Sequence, residues 1–192
     1  MLTPALIAST PSDQELFDHI CKELESRIPQ SVYESSAAFS KAIYQLPRGL
    51  QAMQSVYELD ISMTLDDLAW HFLNHPADIS SRRTYEGLLE LELPAEASLF
   101  KQAWDIWAPH LEQYRQHGVG EQEPHDYLES IGVQKPINPL NDQLWKLLEK
   151  PNNLGLMQAW VNYARKYPER CIDSTDQESG CRSVIEPVNL SR

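Results

Sequence analysis

The chain has 192 residues, 42% of them hydrophobic, and its 28 acidic against 16 basic side chains give a formal charge of −12. That length supports one domain with a single sizeable core, for which five Trp and eight Tyr supply large pieces. The negative balance excludes nucleic-acid binding through phosphates, because the field has the wrong sign, and no apolar run approaches the roughly 18 residues of a membrane span.

The first ten residues lack the basic segment of a secretory signal, so a cytoplasmic location is expected. Three cysteines without a CxxC pattern cannot complete a disulfide framework. Cys21 reads as a small apolar residue. Cys171 and Cys181 flank an acidic loop and would pair only in an oxidising setting.

Residues 1–11 read as a frayed arm. Ser12 and Glu15 form a capping box for a helix over 12–28, with Leu16, Ile20, Leu24 and Ile28 as its seam. Residues 30–45 support a second helix with Tyr33, Ala37, Ile43 and Tyr44 inward. The stretch 46–76 organises the rest. Pro47 opens a helix bearing Leu50, Met53, Val56, Tyr57 and either Ile61 or Met63. Thr64, with Asp67 three residues on, is expected to cap the next helix, whose Leu65, Leu68, Ala69 and Phe72 face a core. Asp67, His71 and Asn74 fall on its opposite face, and Pro76 closes it.

A helix over 80–93 is expected to bury Tyr85, Leu88 and Leu89. Pro94 then opens a long helix to Gly118, kinked at Pro109, with Leu99, Ala103, Ile106, Trp107 and Tyr114 on one face and Glu96, Asp105, Glu112 and Gln116 away from it. Residues 124–131 make a short helix, and the two prolines of 132–140 predict a loop. Asn141 is placed to cap a helix over 142–150, and 154–167 forms the last one. The remainder, 169–192, reads as a loose tail in which Val184–Ile185 could dock. The expectation is an all-α, single-domain irregular bundle of about seven to nine helices over residues 12–168.

Little in this chain resembles catalytic machinery. There is no GxSxG, no phosphate-cradling glycine loop, and no Cys placed beside a base, since His19 and Cys21 are two apart on a helix. Asp67, His71 and His75 stand at i, i+4 and i+8 and could share a metal in a metal-dependent enzyme. Phe72 follows His71, so the pattern is not HExxH, and an exposed Asp67–His71 pair is the competing reading. No cofactor is expected.

Charge distribution carries more. Between Thr84 and Gly132 ten acidic residues stand against only Lys101 and Arg115. Glu86 and Glu90, and likewise Glu92 and Glu96, are four residues apart, roughly 6 Å along a helix axis. Carboxylates at such intervals on rigid helices could imitate a phosphate backbone toward a basic protein surface. A merely solvated, solubilising face is the alternative.

Leu46-Pro47, the positions of Leu68, Phe72 and Asn74, the pair 85–91 with 95–107, Leu140-Asn141-Asp142 and the segment 163–168 together resemble a bacterial family, the DNA-mimic-protein-like domain of unknown function. The resemblance spans about residues 30–168. Where that family has Gly-Gly, this chain has Asp66-Asp67, an ordinary capped helix start. The resemblance implies an all-α fold and a non-enzymatic role, occupying a transcription factor's DNA-binding surface. The chain is also similar to acidic domains that look like antitoxin or immunity partners, which implies neutralising a toxin as the alternative role. The expected contact face comprises Glu86, Glu90, Glu92, Glu96, Asp105 and Glu112, with Asp66 and Asp67 added. The expected partner is a basic protein, with no direct contact to nucleic acid or membrane.

Overall fold

A computed structural model of the chain describes residues 1–148 and 155–173, and every regular element among them is helical. The all-α, single-domain reading holds. Eleven α-helices and three 3-10 turns are found among the described residues. The count exceeds nine because the arm contributes a helix and because the long helix divides at Pro109.

The arm is not frayed. Thr3 caps α1 (Pro4–Ser9), its hydroxyl accepting from the Leu6 N–H at 3.1 Å. Leu2 and Ile7 are buried, and the Leu2 N–H donates to Glu23 Oε2 at 2.7 Å. α2 (Asp13–Arg27) is capped by Ser12, and Leu16, Ile20, Leu24 and Ile28 all enter the core as their spacing predicts. The expected second helix is instead a 3-10 turn, Gln30–Glu34, followed by α3 (Ser36–Tyr44). Ser35 restarts the chain there by accepting the Ala38 N–H, since serine favours caps over helix interiors. Phe39 and Ile43 are buried, whereas Tyr33 and Tyr44 are exposed.

The centre of the molecule is α4 (Arg48–Leu65), whose Leu50, Met53, Val56 and Leu59 are fully buried. It runs two residues past Met63, so Thr64 lies inside it and caps nothing. Leu65 consequently points to solvent at 78% exposure rather than into a core. The chain turns at Asp66, and Asp67 caps α5 (Leu68–Asn74), which buries Leu68, Ala69 and Phe72 completely.

α6 (Asp78–Glu90) lies tightly against α4. A Cβ at Gly87 would sit 3.0 Å from the Ala52 carbonyl, and the Thr84 hydroxyl donates to the Ser55 carbonyl at 3.0 Å. Small residues let the two backbones approach, and Leu88 fills the space beside them while Leu89 stays exposed. α7 (Pro94–Trp107) passes through a 3-10 turn at Ala108–His110 into α8 (Leu111–His117), so Pro109 is absorbed as a change of pitch. Trp107 and Tyr114 still meet edge to face at 5.5 Å across it.

α9 (Pro124–Ser130) leads into α10 (Gln134–Leu148), which occupies the stretch expected to be a loop. Pro136 sits in the first turn, where its missing N–H costs nothing. Pro139 lies deeper, and burial of Ile137, Leu140 and Leu144 on one stripe outweighs the hydrogen bond it removes. α11 (Met157–Lys166) and a 3-10 turn at Pro168–Arg170 follow. Residues 169–173 are packed, not loose: Cys171 is fully buried, and Gly49 lacks the Cβ that would lie 2.7 Å from its sulfur. Arg27 donates twice to Asp173. Cys181 and Val184–Ile185 lie outside the described residues. No described helix is long and apolar enough to cross a membrane.

Candidate interaction surface

Asp67 and His71 face inward, against expectation, whereas Asn74 is exposed as its position predicts. Asp67 is 6% exposed, and both of its oxygens are engaged. Oδ1 accepts the Trp70 N–H at 2.8 Å, and Oδ2 accepts Gln134 Nε2 at 2.8 Å and Asn141 Nδ2 at 3.2 Å. Asn141, buried at mid-α10, does not cap its own helix. Its Oδ1 accepts the Leu68 N–H at 3.1 Å, so it helps to cap α5 from a distance.

His71 is completely buried, with Nδ1 3.0 Å from Ser62 Oγ. Ser62 Oγ also lies 2.9 Å from the Glu58 carbonyl, so this hydroxyl links the ring to the backbone of α4. Nε2 is left without a partner among the described residues. Burial, reinforced by neighbouring His75, drives the His71 pKa down to about 3. The imidazole is therefore neutral at pH 7. His75 faces Glu58 instead, at 3.5 Å. The exposed Asp67–His71 pair is not formed, and no group of three or more His, Cys, Asp or Glu among the described residues is placed to share a metal ion.

The expected contact residues separate into three groups. Glu90, at the end of α6, is largely buried beneath cations. Arg48 Nε donates to it at 2.7 Å, Arg170 Nη1 at 2.8 Å, and the Tyr163 hydroxyl also donates to it. Burial raises this carboxyl, but Tyr163, Arg48 and Arg170 together hold it below the usual carboxylate range. Glu92 lies beyond the helix with a φ of 61°, in the left-handed region. Its carboxylate is gripped by Lys166 at 2.7 Å and by the Tyr167 hydroxyl at 2.8 Å, which lower its pKa. Asp105 pairs with Lys101 on the same helix at 2.6 Å. These three carboxylates are already neutralised within the chain.

Glu96 and Asp67 are buried. Glu96, in the first turn of α7, is 6% exposed, where a carboxylate suits the helix dipole. It is therefore not directed away from the core, and it does not continue a helical row from Glu92, because the chain breaks between them at Leu91–Leu93. Asp66 is half-buried. Partial burial and the neighbouring Asp67 charge raise its pKa.

Glu86 and Glu112 remain exposed, as do Glu121, Glu123, Asp126 and Glu129 on the segment from α8 to α9. None of the six belongs to an ion pair among the described residues. Glu112 accepts only the Gln116 amide, at 2.8 Å. The long-range cations that quench Glu90 and Glu92 come from α4, α11 and the turn after it. No spacing rule within residues 84–132 reveals them.

No protein-family model matches the chain, and neither the curated proteins nor the solved structures compared with it yield a match.

Proposed function

We propose that the chain is a non-catalytic interaction protein that binds a basic protein surface, and that it does so by DNA mimicry toward a DNA-binding protein. The observation that carries this is the α8–α9 corner. Glu112, Glu121, Glu123, Asp126 and Glu129 are exposed there with no ion-pair partner among the described residues. Carboxylates without an ion-pair partner, on two short anchored helices and the turn that joins them, project a field into solvent, which steers and orients a cationic partner. Tyr127 and Leu128, buried beneath them, fix that corner to the core. The contact face favoured by this reading is Glu86, Glu112 and the α8–α9 carboxylates. Glu90, Glu92, Asp105 and Asp67 are engaged within the chain, and Glu96 is buried.

Immobilised chain is incubated with extract of the source organism at low ionic strength, and retained basic proteins are identified. The reading expects retention to vanish with the triple reversal Glu121→Lys, Glu123→Lys, Glu129→Lys, and the partner to be displaced by duplex DNA. A partner that DNA does not displace would replace mimicry by neutralisation of a toxin. Retention unchanged by the triple reversal, or no basic protein retained, overturns the proposal.

A further inference from the structure

Between α3, α4 and α6 runs a groove of about 450 Å³. On α4 it is lined by Arg48, Gln51, Ala52 and Ser55, at i, i+3, i+4 and i+7, so it follows roughly 10 Å of the helix axis. Its rim carries Tyr44 and Leu89, which are 51% and 46% exposed. Its charges balance, Arg48 and Arg83 against Glu86 and Glu90. Arg48 is bound to Glu90, and Arg83 is buried against Ser40. Such a groove selects its occupant by apolar burial and not by charge.

The described chain ends beside one mouth of this groove. Arg170 Nη1 donates at 2.8 Å to Glu90, which with Arg48 lines that mouth. Cys171 packs on Gly49, the next residue of α4. Asp173, bound to Arg27, is the last described residue. Beyond it the sequence is polar until one aliphatic block, in which Val184, Ile185, Val188 and Leu190 surround Glu186 and Pro187. Eleven residues carry the chain from Asp173 to Val184, a reach of up to roughly 36 Å.

We infer that this groove is the docking site of the chain's own residues 184–188. It is too small for an α-helix, which is about 10 Å across. It takes an extended segment, the conformation that Pro187 imposes on Glu186. Three extended residues span roughly 10 Å, so Val184 and Ile185 cover the apolar rim of Tyr44 and Leu89. The block brings one charge, Glu186, to a groove that has no net charge of its own. Tethering makes the contact intramolecular, so it forms at any protein concentration. A partner that uses this face must first displace the segment. The inference stands independently of the α8–α9 reading.

A nitroxide placed on Cys181, three residues before Val184, reports where the segment lies. The full-length chain carries Cys21→Ala, and Cys171 is fully buried. In nitrogen-15 spectra the amides of Gln51, Ser55 and Leu89 should lose most of their intensity, and those of Glu112 and Glu129 should not. Reducing the nitroxide should restore the lost signals. Val184→Asp/Ile185→Asp, which leaves the helical body untouched, and Tyr44→Glu/Leu89→Glu, checked for folding by circular dichroism, should each abolish the broadening. Unaffected groove amides, or broadening that survives the Val184→Asp/Ile185→Asp exchange, overturns the inference. So does broadening that appears only when isotope-labelled chain is mixed with spin-labelled chain, because the occupant is then a second copy.

Discussion

Replacing Asp67 by asparagine distinguishes a simple helix cap from a junction between elements. Asparagine caps helices about as well as aspartate, so Oδ1 would still accept the Trp70 N–H. The second oxygen becomes an amide nitrogen facing two other amide donors, those of Gln134 and Asn141. Gln134 can turn to water, but Asn141 is 2% exposed and cannot. The expected loss is therefore the desolvation cost of one orphaned buried donor, about 1–3 kcal/mol. Asp67→Ala adds the lost cap, about 0.5–2 kcal/mol. Asn141→Ala strips the acceptor from the Leu68 N–H, and because the residues share partners, the Asp67→Ala/Asn141→Ala pair should cost about 1 kcal/mol or more less than the sum of the singles. Urea unfolding followed by tryptophan fluorescence reads all four, provided the denaturant slope is unchanged. Near-neutral Asp67→Asn, or additive alanine variants, would refute the junction.

Three further outcomes follow from buried groups. His71 has a folded pKa near 3 against an ordinary value of 6.5, so between those values the unfolded chain alone takes up the proton. Stability should fall with pH across that window at up to about 1.4 kcal/mol per unit, with no contribution above it. His71→Phe should flatten that slope in urea titrations from pH 7 to pH 4, and an unchanged slope would contradict its neutral burial. Gly87→Val should destabilise by about 1–3 kcal/mol through overpacking against α4, and a neutral result would mean that the two helices are free to separate. Burial pushes the Cys171 thiol up to about 12 and, with Glu25 and Asp18 adding, the Cys21 thiol to about 11. Iodoacetamide at pH 8 should leave Cys171 unmodified until the chain is unfolded, as peptide mapping would show. Rapid native labelling would mean that residues 169–173 are not packed on Gly49.

The elements that were legible in the sequence are those whose burial is one-sided. In α2 and in the first part of α4, apolar residues at helical spacing and a Ser or Pro start signal point to the same answer, and Leu50, Met53 and Val56 are buried as expected, though Tyr57 and Ile61 are exposed. α10 is hidden by its two prolines, which argue for a loop, although Val133, Ile137, Leu140 and Leu144 recur at i, i+4, i+7 and i+11 and are all buried. The boundary between α4 and α5 shifted for a related reason. Two good capping residues, Thr64 and Asp67, compete, and the partners that select Asp67 lie on α10, some seventy residues away. The acidic series illustrates the larger difficulty. Its spacing was visible, but Glu90 and Glu92 are quenched by Arg48, Lys166 and Arg170. Local charge counts cannot register neutralisation supplied by tertiary contacts. What survives on the surface is the α8–α9 corner, whose carboxylates form no ion pair among the described residues, although Lys135 of α10 borders the same hollow as Glu129.

The most direct measurement is the affinity of the retained basic partner for the purified chain at 50 and 300 mM salt, with wild type and the triple reversal at Glu121, Glu123 and Glu129 in parallel. Association driven by exposed carboxylates should weaken about ten-fold or more over that range, as screening shortens the reach of the field. The triple reversal should lower wild-type affinity at low salt and lose most of the salt dependence. An affinity indifferent to salt and to those three charges would contradict the account.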